Sequence, residues 1–239
     1  MFQNTGKASV INYDEKGKKS VKHRNDLMPH NPGIFNAILC GPTGSGKTNA
    51  LLNMIYDFLT YSKIYVYANN SDQAVYEKLK HHLDGIAEKN DLEPGDLYHF
   101  GSKLSEVVPL DQMDKSKVNI VIFDDFVLAK DQSIIEDYWV RARHKNCICF
   151  YLSQTYSGIP ITIRRNTRLY MIWMASRGRD VGLIQSDVAP ELDAKKFKKV
   201  FHEATKMPHN FLYVDRYAEP DKKYRTNFDG LTIPGFFDR

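Results

Sequence analysis

The sequence is poor in cysteine, in long apolar runs and in net charge, and each shortage removes a class of protein. Cysteine occurs three times (Cys40, Cys147 and Cys149), an odd count without CxxC spacing, which argues against both a disulfide framework and a zinc site. Nowhere do eighteen or more apolar residues follow one another, so no membrane-spanning helix is expected. The opening Met1-Phe2-Gln3-Asn4-Thr5-Gly6-Lys7 lacks the apolar core of a secretion signal. There is no internal repeat and no low-complexity tract. Lys and Arg number 33 against 29 Asp and Glu, and the resulting net charge of +4 is too mild to declare a nucleic-acid binder. A soluble, intracellular, reduced protein is expected, and its 239 residues are enough chain for a substantial core.

Residues 1–32 are polar, with six Lys/Arg, three Asp/Glu, Pro29 and Pro32, and read as an N-terminal arm or strand pair that stays poorly ordered until covered. From Gly33 onward short apolar runs alternate with helical patterns. Strands are expected at Phe35–Cys40, Lys63–Ala68, Val118–Phe123, Cys147–Leu152, Leu169–Met174 and Phe211–Tyr217. Helices are expected at Lys47–Thr60, near Gln73–Leu83, around Gln132–Arg143 and near Pro190–Ala204. The continuous β-branched run Val118–Phe123 suits a strand buried on both faces. Alternating strands and helices imply an α/β fold with a mostly parallel central sheet and helices on both faces, in one domain over 33–239 that ends in a short tail.

Gly41-Pro42-Thr43-Gly44-Ser45-Gly46-Lys47-Thr48 matches GxxxxGK[ST] in full. Glycines let such a loop turn back and aim its N–H groups at phosphate oxygens, and the following helix adds its positive N-terminal end. Lys47 reaches the β- and γ-phosphates, and the Thr48 hydroxyl ligates Mg²⁺. The expected ATP contacts run from Gly41 through Asn49. An apolar strand then delivers Asp124-Asp125 to its C-terminal tip, where open parallel sheets place their ligands. Asp124 is assigned to Mg²⁺ and Asp125 to polarising the attacking water. Strand alternation points the two side chains to opposite faces, so their roles divide. A further strand ends in Ser153-Gln154, whose amide fits a sensor of the γ-phosphate. The order phosphate loop, acidic strand, polar-tipped strand marks the RecA-like motor arrangement rather than a P-loop kinase. Cys147 and Cys149 alternate on that last strand and are read as packing residues.

The mild net charge hides a segregation. Residues 71–137 hold 15 Asp/Glu and 7 Lys/Arg, a net of −8. Residues 141–179 hold Arg141, Arg143, Lys145, Arg164, Arg165, Arg168, Arg177 and Arg179 and no acidic residue, a net of +8. Seven of these eight are arginine, the residue suited to bidentate phosphate contacts. They can reach a neighbouring subunit's γ-phosphate, face DNA, or pair with the acidic segment. An acidic face meeting a basic one also suits head-to-tail contact between identical subunits. The run Lys195-Lys196-Phe197-Lys198-Lys199 reads as a solvated helix face.

Taken in order, Gly41–Thr48, Ile122-Phe123-Asp124-Asp125, Arg143-His144, Leu152-Ser153-Gln154-Thr155, Pro160 and Ile163-Arg164-Arg165-Asn166 resemble the small viral DNA-packaging ATPases of the FtsK–HerA superfamily, closest to the poxvirus and virophage type. Phe197, Phe201, Ala204-Thr205 and Asn210–Asp215 resemble that family's closing helix and strand. The resemblance covers about residues 33–217. It implies an ATP-hydrolysing, RecA-like (ASCE) translocase that packages a double-stranded viral genome into a preformed capsid. It also implies a homo-oligomeric ring of five or six subunits at a capsid or portal vertex, in the host cytoplasm or on the virion. Lys47, Thr48 and Asp124 become the nucleotide–Mg²⁺ set, Asp125 and Gln154 the water-directing pair, and Arg143 and Arg164 the candidates for a finger acting in trans. Asp125 stands where FtsK-like motors carry Glu, and no separate DNA-recognition domain is evident. The alternatives are a DNA pump of a mobile element, a P-loop small-molecule kinase, and a nucleotide-dependent scaffold.

Overall fold

The computed structural model describes residues 20–30, 33–69, 74–174 and 178–230. Strand β1 (Asn36–Cys40) leads through the phosphate loop into helix α1 (Lys47–Asn53). The helical run continues over Met54–Phe58 with wider π geometry, closed by Leu59 N–H donating to Met54 O at 2.8 Å. Then follow β2 (Lys63–Ala68), α2 (Ala74–Lys89), α3 (Pro94–Leu97), β3 (Tyr98–Gly101) and β4 (Asn119–Asp124). Next come α4 (Ser133–Arg141), β5 (Cys147–Ser153), α5 (Ile161–Arg165), β6 (Leu169–Trp173), α6 (Gly178–Val188) and α7 (Ala194–Thr205). The chain closes with β7 (Phe211–Asp215), α8 (Pro220–Lys223), β8 (Tyr224–Thr226) and β9 (Asp229–Gly230). No described helix is long and apolar enough to cross a membrane.

These strands form one sheet in the order β3-β2-β4-β5-β1-β6-β7-β8-β9. The pairs from β3 to β6 are parallel, and those from β6 to β9 antiparallel. Every residue of β4 and β5 is buried, as two-sided helix coverage of a parallel sheet requires. One face packs Leu51, Leu52 and Ile55 of the α1 run and Leu79 and Leu83 of α2 against Ile122, Phe150 and Leu152. The other packs Ile135, Tyr138 and Trp139 of α4 and Phe197, Val200, Phe201 and Ala204 of α7 against Phe123, Tyr151 and Tyr170. On α7 the buried set recurs at i, i+3, i+4 and i+7, and burying each such phenylalanine stabilises by about 1.5–3 kcal/mol. Asp193 caps that helix by accepting from the N–H groups of Lys195 and Lys196, while Lys195, Lys196, Lys198 and Lys199 face solvent.

Several elements differ from expectation, each for a local reason. Helix α2 runs past Leu83 to Lys89, because Ala87 extends the buried stripe and Gly85 lies on the open side with nothing near it. Strand β3, helix α6 and the short strands β8 and β9 carry weak local patterns, and they form because the sheet and α7 offer them a surface. Of the N-terminal arm, residues 1–19 and 31–32 lie outside the described residues. Residues 20–30 lie on the domain: Arg24 N–H donates to Phe58 O at 2.9 Å, Tyr213 donates to Leu27 O at 3.2 Å, and Met28 is buried. His23 bridges Gly33 O at 2.7 Å and the Thr60 N–H at 3.3 Å. That pairing makes Nδ1 an acceptor and Nε2 the protonated nitrogen, and burial holds the His23 pKa below its ordinary value.

Candidate functional site

Three parallel strands end level with one another. Cys40 of β1 pairs with Ser153 of β5, and Asp124 of β4 pairs with Leu152. The phosphate loop is tied to this rim by Gly41 N–H donating to Ser153 O at 3.1 Å. It then turns back through Gly44 (φ 76°) and Gly46 (φ 101°), left-handed conformations that side chains resist, before Lys47 opens the helix. Lys47 Nζ donates to the carbonyls of Gly41 (2.7 Å) and Pro42 (3.0 Å). Burial pulls the Lys47 ammonium below its usual pKa, opposed chiefly by the Asp124 carboxylate.

A cavity of about 130 Å³ is lined by Thr43, Gly44, Lys47, Thr48, Asp124, Asp125, Ser153 and Gln154. Seven of these are sequence-expected contacts of ATP, Mg²⁺ or the attacking water, drawn from three segments that together span more than a hundred residues of the chain. The donor set suits a magnesium–nucleotide group: a lysine, loop N–H groups and a hydroxyl for phosphate, and hard oxygen ligands for the cation. Ser45 Oγ is buried without a hydrogen-bond partner among the described residues.

Asp124 is 8% exposed, and its Oδ2 accepts a hydrogen bond from the buried Tyr76 hydroxyl at 2.7 Å. Burial raises the Asp124 pKa, and the Tyr76 bond works against that rise. Asp125 departs from the expected geometry. Strand alternation would send its side chain to the opposite face, yet it lines the same cavity as Asp124. The cause is local: Asp125 sits at φ 63°, a left-handed turn held by its N–H donating to Leu152 O at 3.2 Å. Such a backbone costs of order 1 kcal/mol for a non-glycine residue and clusters at functional sites. Gln154 Nε2 lies 3.5 Å from Asp125 Oδ2, the outer limit of a hydrogen bond. The loops after β4 and β5 interlock below them, since a Cβ on Gly158 would lie 2.3 Å from Val127 Cγ2.

The arginines lie elsewhere. Arg143 is exposed, in the turn between α4 and β5 at the opposite end of the strands, roughly 20 Å from their tips at the rise of an extended chain. It makes no ion pair among the described residues. Arg164 is buried and ion-paired with Asp187 at 2.6 Å. Arg141 and Lys145 pair with Asp111, and Arg141 also with Asp137, so part of the basic segment answers the acidic one within the chain. Arg168 pairs with Asp215 at 2.9 Å, Arg165 is exposed, and the side chains of Arg177 and Arg179 lie outside the described residues. Cys40, Cys147 and Cys149 are buried and free, and burial pushes the Cys40 and Cys147 thiols up to about 12, which makes them inert packing groups.

Sequence reasoning missed Tyr76, because a tyrosine on an amphipathic helix reads as core. It also missed His209, which lies 3.3 Å (Nδ1) from Ser45 O and carries a left-handed backbone (φ 65°). Only the turn-forming Pro208-His209-Asn210 hinted at that bend.

A strand inserted between the phosphate-loop strand and the acidic strand, with the cavity at their tips, defines a P-loop NTPase of the RecA-like, additional-strand class. The chain belongs to the Poxvirus A32 protein family, whose model matches residues 19–207. Solved structures share the fold. One is the genome packaging NTPase B204 from Sulfolobus turreted icosahedral virus 2 in complex with ATP-gammaS. It is 14% identical, covers 80% of this chain and 96% of that one, and has a TM-score of 0.55. Another is B204, the DNA-packaging ATPase from Sulfolobus turreted icosahedral virus. It is 13% identical over 80% and 96% of the two chains, at a TM-score of 0.54. No curated protein sequence is significantly similar.

Proposed function

We propose that the protein hydrolyses ATP to drive double-stranded viral DNA into a preformed capsid, working as a homo-oligomeric ring inside the infected cell or on the assembling virion. The observation that carries this reading is the single cavity lined by Lys47, Thr48, Asp124, Asp125 and Gln154 in a member of the poxvirus A32 family. B204, which shares the fold, is a DNA-packaging ATPase.

Thr48 and Asp124 would hold Mg²⁺, whose charge offsets that of the phosphates. The loop N–H groups and Lys47 bind the phosphate chain and fix its direction. Gln154 turns its amide nitrogen toward Asp125, which leaves its carbonyl oxygen to accept from the attacking water. Asp125 takes the proton as the water oxygen bonds to the γ-phosphorus and the bond to the β–γ bridging oxygen breaks. ADP leaves with that oxygen, and inorganic phosphate carries the new one. Lys47 is half-buried, and the desolvation that lowers its pKa also strengthens its pull on phosphate charge. The exposed Arg143 is the better placed of the two arginines to reach a neighbouring subunit's nucleotide, because Arg164 is already engaged. The segregated acidic and basic stretches suit head-to-tail subunit contact.

The test is ATP hydrolysis with and without duplex DNA, with Lys47→Ala as the blank. Duplex DNA is expected to stimulate the wild-type rate several-fold. A rate indifferent to DNA, with phosphate transferred to a small-molecule acceptor, overturns the reading in favour of a kinase.

Tyr76 carries a second expectation. Its hydroxyl occupies Asp124 Oδ2 and so leaves Oδ1 to serve the metal. Tyr76→Phe is expected to raise the Mg²⁺ concentration for half-maximal nucleotide binding about 10–100-fold, the usual cost of losing such a support. Turnover at saturating Mg²⁺ is expected to stay near wild type. An unchanged Mg²⁺ requirement removes Tyr76 from this role.

A further inference from the structure

A second cavity, of about 400 Å³, opens on the other side of the phosphate loop, lined among others by Gly46, Asn49, His209, Asn210, Asn227 and Phe228. Its size lies within the ordinary range of small-molecule sites. Four of these residues lie beyond the stretch matched by the family model. The direction of the bound phosphate chain decides what this cavity can hold. Asp124, Asp125 and Gln154 gather at the Thr43 side of the loop, which makes that the γ-phosphate end. A nucleoside attached at the other end of the chain must leave past Gly46 and Asn49, where this cavity begins. Another pocket beside the loop shares Thr43 and Gln154 with the γ-phosphate end and so lies on the wrong side.

The walls suit a planar heterocycle. His209 and Phe228 supply aromatic faces, and Phe228 is itself braced edge-on by Phe58 (4.8 Å between ring centroids) and Phe211 (5.4 Å). His209 is fixed in its left-handed conformation by Trp173 Nε1–H donating to its carbonyl at 2.9 Å. Asn227 Oδ1 accepts from Phe211 N–H at 3.1 Å, so its amide nitrogen must face the other way, and it donates to Asn210 Oδ1 at 2.9 Å. This relay fixes which way the Asn210 amide is turned. Its Nδ2 makes no hydrogen bond among the described residues and is the donor left to serve a ligand.

We infer that this cavity seats the nucleobase and ribose of the bound nucleotide, with the Asn210 amide, oriented by Asn227, donating to an acceptor atom of the base. The inference rests on the phosphate loop binding a nucleoside triphosphate. The experiment measures the affinities of ATP and of inorganic tripolyphosphate, both with Mg²⁺, by calorimetry for wild type, Asn210→Ala and Lys47→Ala. Tripolyphosphate fills the phosphate site without a base, so it also reports whether each variant is folded. Asn210→Ala is expected to weaken ATP about tenfold, the worth of one buried hydrogen bond, and to leave tripolyphosphate unchanged. An unchanged ATP affinity, or an equal loss for both ligands, overturns the base seat. Lys47→Ala weakening both ligands while Asn210→Ala is silent would leave the phosphate site standing and the base seat refuted. Lys47→Ala weakening neither would instead refute the phosphate site itself.

Discussion

Asp125→Asn is expected to lower ATP turnover about 10²–10⁴-fold, the range of a lost general base, while leaving the fold and nucleotide affinity nearly intact. The separation of effects comes from the backbone. Asp125 holds φ 63°, and asparagine is among the few residues that tolerate this region. The Asn side-chain carbonyl can still accept from Gln154 but cannot take up a proton from water. Asp125→Ala makes the contrast: it forces a left-handed alanine and is expected to cost about 1–2 kcal/mol of stability as well. Turnover is read by phosphate release, affinity by calorimetry and stability by thermal unfolding. An Asn variant with wild-type turnover would take the base role away from Asp125.

Arg164→Ala is expected to destabilise the protein by about 3–5 kcal/mol, because it strands a buried carboxylate. Arg164 and Asp187 side chains are each 10% exposed and meet at 2.6 Å. Arg164 Nε also donates to Ile159 O at 3.1 Å, and the guanidinium lies 5.4 Å from the centre of the Tyr156 ring. The cluster therefore ties α6 to the loop that follows Gln154. For a chain of this size the midpoint of thermal unfolding should fall by roughly 6–20 °C. Replacing both partners, Arg164→Met with Asp187→Leu, should recover most of the loss, since an apolar pair of similar volume needs no partner. If Arg164→Ala instead unfolds like wild type, and mixing it with Lys47→Ala subunits restores hydrolysis, the residue acts in trans after all.

Much of the candidate site could be read from the chain because its chemistry is local. Gly41–Thr48 is a contiguous loop whose glycines and lysine are each required by phosphate geometry, and the β-branched apolar run before Asp124 suits a buried strand. What escaped was set by contact between distant segments. Tyr76 reaches Asp124 because α2 packs beside β4, a pairing that no pattern in residues 74–89 encodes. Nor did strand periodicity foresee that Asp125 would turn to the same side as Asp124, since alternation holds only while the backbone stays extended. The charge segregation was legible, but its use was not: Arg141 and Lys145 meet Asp111, Arg164 meets Asp187, and Arg143 stays exposed.

The sequence by itself determined that this is an α/β phosphate-loop protein with an acidic strand and a polar-tipped strand, because periodicity and loop chemistry act over a few neighbouring residues. Tertiary structure alone decided that β5 lies between β1 and β4, which brings Gln154 to Asp125 and both to Lys47. It alone decided which arginines are spent on internal ion pairs. It also brought His209, Asn210 and Asn227 beside Gly46, more than 160 residues away in the chain. Sheet order and helix packing are settled by burial summed over the whole chain, and no short window of sequence carries that sum.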